Sequence, residues 1–157
     1  MLIDISELAD AFPAFRVAVV SFDDLAIGEA RTEALATAIA AHEADAIRRW
    51  TAIELSEIPG VADWRRAYRA FGIKKTSYRS SVERLMKNVL AGRSLPAINS
   101  FVDAYNAVSL AHVLPIGADD RDRVIGDIAF RYARPDDRFV DMAGAEEGGR
   151  TRIGRSA

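Results

Sequence analysis

The most constraining feature of this sequence is a helix-spaced run of apolar residues that begins at a capping motif. Residues 80–83 read Ser-Ser-Val-Glu, the S-x-x-E pattern in which serine and glutamate side chains each bind a backbone N–H. The apolar positions that follow have the spacing i, i+3, i+4, i+7 and i+8, and they are Val82, Leu85, Met86, Val89 and Leu90. Gly92 ends the pattern. The segment therefore predicts an amphipathic helix with one buried face and one polar face.

Helical periodicity also marks the sequence on both sides of this segment. Residues 29–50 are rich in alanine and long side chains and carry an apolar stripe at helical spacing. Residues 58–72 have a second stripe and end at a glycine, which favours the left-handed conformation of a helix C-terminus. Residues 99–112 begin with capping residues and stop before Pro115. Together with a short helix over residues 6–11, these patterns predict five helices.

Three segments have the composition of β-strands. Residues 15–22 read FRVAVVSF, which predicts a buried strand, and residues 127–133 and 138–143 alternate β-forming and polar side chains. Helices combined with clustered strands predict an α+β fold, with the helices packed on a mixed or antiparallel sheet. We expect one domain over residues 1–143 and a disordered tail over residues 144–157, where apolar periodicity is absent.

Positive charge is concentrated in the middle of the chain. Residues 64–93 contain a single acid, Glu83, and nine basic residues: Arg65, Arg66, Arg69, Lys74, Lys75, Arg79, Arg84, Lys87 and Arg93. This segment has a net charge of +8, so the other 127 residues carry −10 of the total of −2. Such a block can attract a polyanion without making the whole protein adhesive, because exposed charges are screened beyond about 10 Å at 0.1 M salt. It predicts a surface that attracts a polyanion such as RNA; a solvated helical face is the alternative.

Composition argues against several other classes of site. The chain has no cysteine, which excludes disulfides, thiol catalysis and sulfur-ligated zinc. Its two histidines, His42 and His112, stand in no ligand spacing, so we expect neither a metal nor another cofactor. The N-terminal residues include acids where a signal peptide is basic, and no apolar run reaches 18 residues. These features predict a cytoplasmic protein that does not bind membranes.

An ordered series of residues through the middle of the chain resembles a known family. Its members in this sequence are Trp64, Tyr68, Phe71, Gly72, Ser80, Ser81, Glu83, Leu85, Leu95, Pro96, Ile98, Asn99, Val102, Asp103, Asn106, Ala107, Val108, Ser109, Leu114, Pro115, Gly117, Asp120, Gly126, Asp127, Ile128 and Arg131. The series is similar to the B3/B4 domain, the tRNA-binding and editing module of the bacterial phenylalanyl-tRNA synthetase β subunit, and to free-standing proteins that contain this domain. The similarity spans most of residues 15–144.

The resemblance implies contact with tRNA and a pocket that hydrolyses tyrosine wrongly attached to phenylalanine tRNA. Asn106 stands where the synthetases place an asparagine of that pocket, and Gly117 falls where they carry a histidine. The candidate substrate pocket is Asn99, Asp103, Asn106, Ser109 and Gly117. Catalytic residues stay unassigned. Asp103 could act as a general base if burial raised its pKa, or it could fix the helix by binding backbone or an arginine.

Three functions follow as hypotheses. The first is hydrolysis of misacylated aminoacyl-tRNA in trans, for which water and oxyanion donors can suffice without a nucleophile. The second is a non-catalytic RNA-binding module. The third is a domain that binds a free amino acid or another small molecule, in which case the basic block has no role.

Overall fold

The computed structural model describes residues 2–73, 78–140 and 146–148. This part contains five helices: α1 (Ser6–Ala9), α2 (Glu33–Trp50), α3 (Pro59–Ala70), α4 (Ser81–Leu90) and α5 (Ser100–His112). It also contains four short strands: β1 (Ile3–Asp4), β2 (Ile128–Ala129), β3 (Arg138–Val140) and β4 (Glu146–Gly148). The chain divides into two compact units. One is Asp24–Ala118, and the other combines Met1–Asp23 with Asp119–Ala157.

The helices of the unit Asp24–Ala118 begin where the sequence supplies caps. The side chains of Thr32, Ser80 and Asn99 accept backbone N–H groups in the first turns of α2, α4 and α5. Helix α3 begins with Pro59, whose missing N–H would be unpaired in a first turn anyway. Helix α5 ends at Val113, which takes the left-handed conformation with φ 55° and ψ 44°. This conformation is unusual for a β-branched residue.

The hydrophobic core lies within this same unit. Helix α2 packs against α4 and α5, and α4 packs against α5. The most buried apolar side chains of the core are Ile39, Ile58, Val61, Val82, Met86, Val89 and Leu110. The predicted buried face of α4 is confirmed: Val82, Met86 and Val89 are at most 1% exposed. The local sequence pattern around residue 80 thus predicted both the helix and its packing face.

The second unit contains the short strands. Strand β1 pairs with β2 in parallel, with Ile3 opposite Ile128, and β3 pairs with β4 in antiparallel orientation. The rings of Phe15 and Phe130 pack with their centroids 5.8 Å apart. Arg131 donates two hydrogen bonds of 2.7 and 2.6 Å to the Asp137 carboxylate, which lowers the pKa of that carboxyl well below its usual range.

The predicted mixed or antiparallel sheet is not confirmed. The described residues are mainly helical, and their strands form two separate two-stranded sheets instead of a mixed or antiparallel layer under the helices. Residues 15–22 form no strand, and Val20 is 73% exposed. A β-branched run becomes a strand only where a neighbour pairs with it, and β1 and β2 pair with each other in this unit.

The last two predicted strands are confirmed in position, β2 is shorter than predicted, and residues 141–143 of the last one lie outside the described residues. Strand β2 lies within residues 127–133, and β3 lies within residues 138–143. Of the predicted tail, residues 146–148 form β4, and the remainder lies outside the described residues. No helix in the described ranges has the length and apolar character needed to span a membrane.

Candidate nucleic-acid interface

The exposed face of α4 carries positive charge. Arg84 and Lys87 are exposed one turn apart, on the side of the helix away from the buried Met86 and Val89. Arg93 is exposed just beyond the helix, and its Nη2 donates a 2.7 Å hydrogen bond to Asn88 Oδ1. Among the described residues, none of these three cations has an acidic partner. We call Arg84, Lys87 and Arg93 the α4 cationic face.

A buried carboxylate joins this helix to α3. Glu83 is 2% exposed, and Arg65 donates to its two oxygens from Nη2 at 2.7 Å and from Nε at 3.2 Å. The Nε of Arg79 lies 3.3 Å from Oε1 of the same carboxylate. Ser80 accepts the Glu83 N–H at 3.4 Å, as the capping pattern predicts, but the carboxylate turns inward to the two arginines. We call Glu83, Arg65 and Arg79 the Glu83 cluster.

The environment of the Glu83 cluster favours the protonated forms of Arg65 and of the neighbouring Tyr68. The hydrogen bond to Glu83 raises the pKa of Arg65, although partial burial opposes the shift. Burial raises the pKa of Tyr68, the negative charge of Glu83 raises it further, and the positive charge of Arg84 opposes both. Tyr68 packs edge-on against Trp64, with 6.0 Å between the ring centroids. Tyr68 is therefore neutral at physiological pH and serves as a packing residue beside the cluster.

The nine predicted RNA-binding residues thus fall into different environments. Arg65 and Arg79 are ion-paired to the buried Glu83, and Arg66 pairs with Asp63 on the surface of α3. Lys74 and Lys75 lie outside the described residues. The exposed members without an acidic partner in the described ranges are Arg69, Arg84, Lys87 and Arg93.

Asp103, a predicted pocket residue, is engaged in holding the loop before α5. Its carboxylate is 1% exposed, accepts a 2.6 Å hydrogen bond from Arg31 Nε and accepts the Ile98 N–H at 2.9 Å. Arg31 also donates from Nη2 to the carbonyl oxygens of Leu95 at 3.0 Å and Pro96 at 2.7 Å. Asp103 could be a general base or could fix the helix by binding backbone or an arginine. Its contacts are those of a residue that fixes the helix.

Two further predicted pocket residues serve the ends of α5. Asn99 accepts the N–H groups of Phe101 and Val102 at 3.1 and 2.9 Å, which makes it the N-cap. The hydroxyl of the buried Ser109 donates to the carbonyl oxygen of Leu114 just beyond the C-terminus. The structure therefore brings Asn99 near Asp103, whereas Ser109 lies about 15 Å from Asn99 along the helix axis, at 1.5 Å per residue.

Asn106 and Gly117 complete the predicted pocket. Asn106 is half-buried in the middle of α5, and no hydrogen-bond partner of its side-chain amide lies within residues 2–73 and 78–140. Gly117 is exposed, and a Cβ built on it would meet nothing within 4 Å. Asn106 is therefore the member of the set whose polar group stays available to a ligand.

Sequence reasoning missed the role of Arg31 and the inward turn of Glu83. Arg31 is 72 residues from Asp103, and nothing local to either residue marks the pair. Another unpredicted contact is the 2.6 Å hydrogen bond from the Leu95 N–H to Glu43 Oε1 on α2. For Glu83 a signal exists: it is the single acid among nine bases, and it lies between apolar positions of an amphipathic helix.

If Asp103 holds the loop, then Asp103→Asn should lower the free energy of unfolding by about 2 kcal/mol. Asparagine keeps an acceptor for the Ile98 N–H but loses the charge that faces Arg31. Urea denaturation followed by circular dichroism measures the effect. Asp63→Asn is the matched control, because Asp63 is exposed and its pair with Arg66 should contribute less than about 1 kcal/mol. Equal stability of the two variants would contradict the assignment.

No group of three or more histidine, aspartate or glutamate side chains is placed to hold a metal ion in the described part of the chain.

Comparison with known proteins identifies the family. The family profile of the B3/4 domain matches residues 63–148, more than half of the 157 residues. The match includes residues 63–70 of α3 and the whole of α4 and α5, and it covers the α4 cationic face, the Glu83 cluster and Asn106. No curated protein and no solved structure gave a match. This chain belongs to the B3/4 domain family.

Proposed function

We propose that this protein binds RNA, and tRNA in particular, through the α4 cationic face. The family is associated with tRNA binding in the β subunit of phenylalanyl-tRNA synthetase. The observation that carries the proposal is the exposure of Arg84, Lys87 and Arg93 without acidic partners in the described part of the chain. Lysine and arginine in such a setting release condensed counterions when they bind phosphates, which drives association.

The charge distribution supports phosphate binding at this part of the chain. Residues 64–93 have a net charge of +8 and the other residues −10, so attraction to a polyanion is strongest in this segment. The Glu83 cluster anchors α4 to α3, and the apolar side of α4 is in the core. The cations are thus carried by a fixed helix, which reduces the conformational entropy that binding would cost.

The double variant Arg84→Glu, Lys87→Glu should bind tRNA at least about tenfold more weakly than the wild type at physiological salt. Two phosphate contacts are lost and two repulsions are gained. Fluorescence anisotropy with labelled tRNA measures the dissociation constant.

The matched control is Arg121→Glu, Arg123→Glu, which changes the net charge equally at two exposed residues of the other unit. This variant should bind nearly as the wild type does. If both double variants weaken tRNA binding equally, the loss is explained by net charge, and the assignment of the binding surface to α4 is wrong.

Hydrolysis of misacylated tRNA is the second candidate function, and the environment of the Asn106 side chain favours it. A half-buried amide with no hydrogen-bond partner in the described residues could donate an N–H to the oxyanion that forms when water attacks an ester. Asp103 is poorly placed to act as a general base for this reaction, because its buried carboxylate oxygens are engaged by Arg31 and by the Ile98 N–H.

The test of this second candidate is a deacylation assay. Purified protein is mixed with tyrosyl-tRNA and with phenylalanyl-tRNA, and loss of the ester is followed for the wild type and for Asn106→Ala. Faster loss with the wild type than with the variant supports hydrolysis. Rates equal to buffer for both charged tRNAs would leave RNA binding as the function.

A further inference from the structure

The strongest unexplained feature near the α4 cationic face is an exposed aromatic ring. Tyr78 is 62% exposed, whereas Trp64 and Tyr68 are half-buried and pack against each other. A tyrosine ring is a large amphipathic surface, and rings of this kind are enriched where proteins bind partners. Tyr78 contributes to no part of the core, so the face of its ring is available to a partner.

The backbone that follows Tyr78 is fixed. Arg79 is ion-paired with the buried Glu83, and Ser80 is 4% exposed and caps α4. The ring therefore stands one residue away from an anchored segment. An anchored backbone beside the ring reduces the conformational entropy that binding would cost, and tyrosine has only two side-chain torsions to restrict.

The position of the ring relates it to the cations. Tyr78 lies two residues before the cap of α4, and Arg84 and Lys87 follow on the exposed side of that helix. At 1.5 Å per residue, Lys87 lies about 4.5 Å beyond Arg84 along the helix axis. An aromatic ring followed by cations is the combination with which proteins hold single-stranded nucleic acid, since bases stack on rings while phosphates contact cations.

We infer that Tyr78 stacks on an unpaired base, so that the ring and the α4 cationic face together select a single-stranded segment of RNA. This inference rests on the proposed function. Cations alone do not distinguish single strands from duplexes. A stacking ring does, because the flat faces of duplex bases are covered by their neighbours. In a folded tRNA, the partner would be a loop or the unpaired end.

The test compares a single-stranded 12-nucleotide RNA with a duplex of the same length. Tyr78→Ala should bind the single strand about tenfold more weakly and the duplex within about twofold of the wild type. Tyr78→Phe keeps the aromatic face and should bind the single strand as the wild type does. Unchanged single-strand binding by Tyr78→Ala, or equal losses on both RNAs, would overturn the inference.

The same experiment separates this inference from the proposal on which it rests. If Arg84→Glu, Lys87→Glu weakens binding to both RNAs while Tyr78→Ala weakens neither, RNA binding stands and the stacking role is refuted. If the wild type binds neither RNA, both are refuted. Tyr78 is exposed, so its replacement should leave the fold intact, which circular dichroism verifies.

Discussion

Arg65→Met is expected to lower the free energy of unfolding by about 3 kcal/mol. Glu83 is almost fully buried, and Arg65 provides its two shortest ion-pair contacts. Among the described residues, the variant leaves the carboxylate with Arg79 as its one cationic partner, at 3.3 Å. A buried charge that loses a partner keeps its desolvation cost without the compensating attraction. Urea denaturation of the wild type and the variant, with equal m-values, measures the difference.

Two further variants test whether the cause is the unpaired charge. Arg65→Met with Glu83→Met removes both charges and should recover part of the lost stability, because apolar residues can replace a buried ion pair. Arg66→Met removes an arginine from the same helix, but its pair with Asp63 is exposed, so the expected loss is below about 1 kcal/mol. Equal losses for Arg65→Met and Arg66→Met would show that the Glu83 cluster does not hold α3 to α4.

Gly60→Ala is the second substitution with a large expected effect, about 3 kcal/mol of lost stability. A Cβ on Gly60 would lie 2.1 Å from the carbonyl oxygen of Val113 and 2.8 Å from its Cγ1. Val113 is 5% exposed and holds the left-handed conformation that ends α5. The backbone there cannot move aside without disturbing the end of that helix, so α3 must shift away from it.

Gly117→Ala is the matched control, because the added methyl group meets nothing within 4 Å. Its expected effect on stability is within about 0.5 kcal/mol. Thermal unfolding of both variants beside the wild type provides the measurement. A Gly60→Ala protein as stable as Gly117→Ala would mean that α3 does not pack tightly against the end of α5.

The helices could be predicted because their signals are local. The cap at Ser80, the apolar spacing of α4 and the cap at Asn99 each lie within a few residues of the structure that they determine. The strand predicted over residues 15–22 failed for the opposite reason. Strand formation depends on a pairing neighbour elsewhere in the chain, and the composition of one segment does not reveal whether that neighbour is present.

The candidate site was predicted in part. The basic run located α4 and its exposed cations, but the sequence could not separate Arg84 from Arg65, which are alike in type and differ in burial and partner. The pairing of Arg31 with Asp103 links residues 72 positions apart and depends on how α2 and α5 pack. Side-chain roles that arise from tertiary packing leave no periodic trace in the chain.

The salt dependence of tRNA affinity tests the role of the α4 cationic face most directly. For each phosphate contact, the slope of log K against log salt is expected to be about −0.7 to −0.9, so a wild type using three cations should show a slope of about −2 or steeper. Arg84→Glu, Lys87→Glu should reduce the magnitude of that slope by about 1.5. A wild-type affinity that does not change with salt, or the same slope in both proteins, would contradict RNA binding by this face.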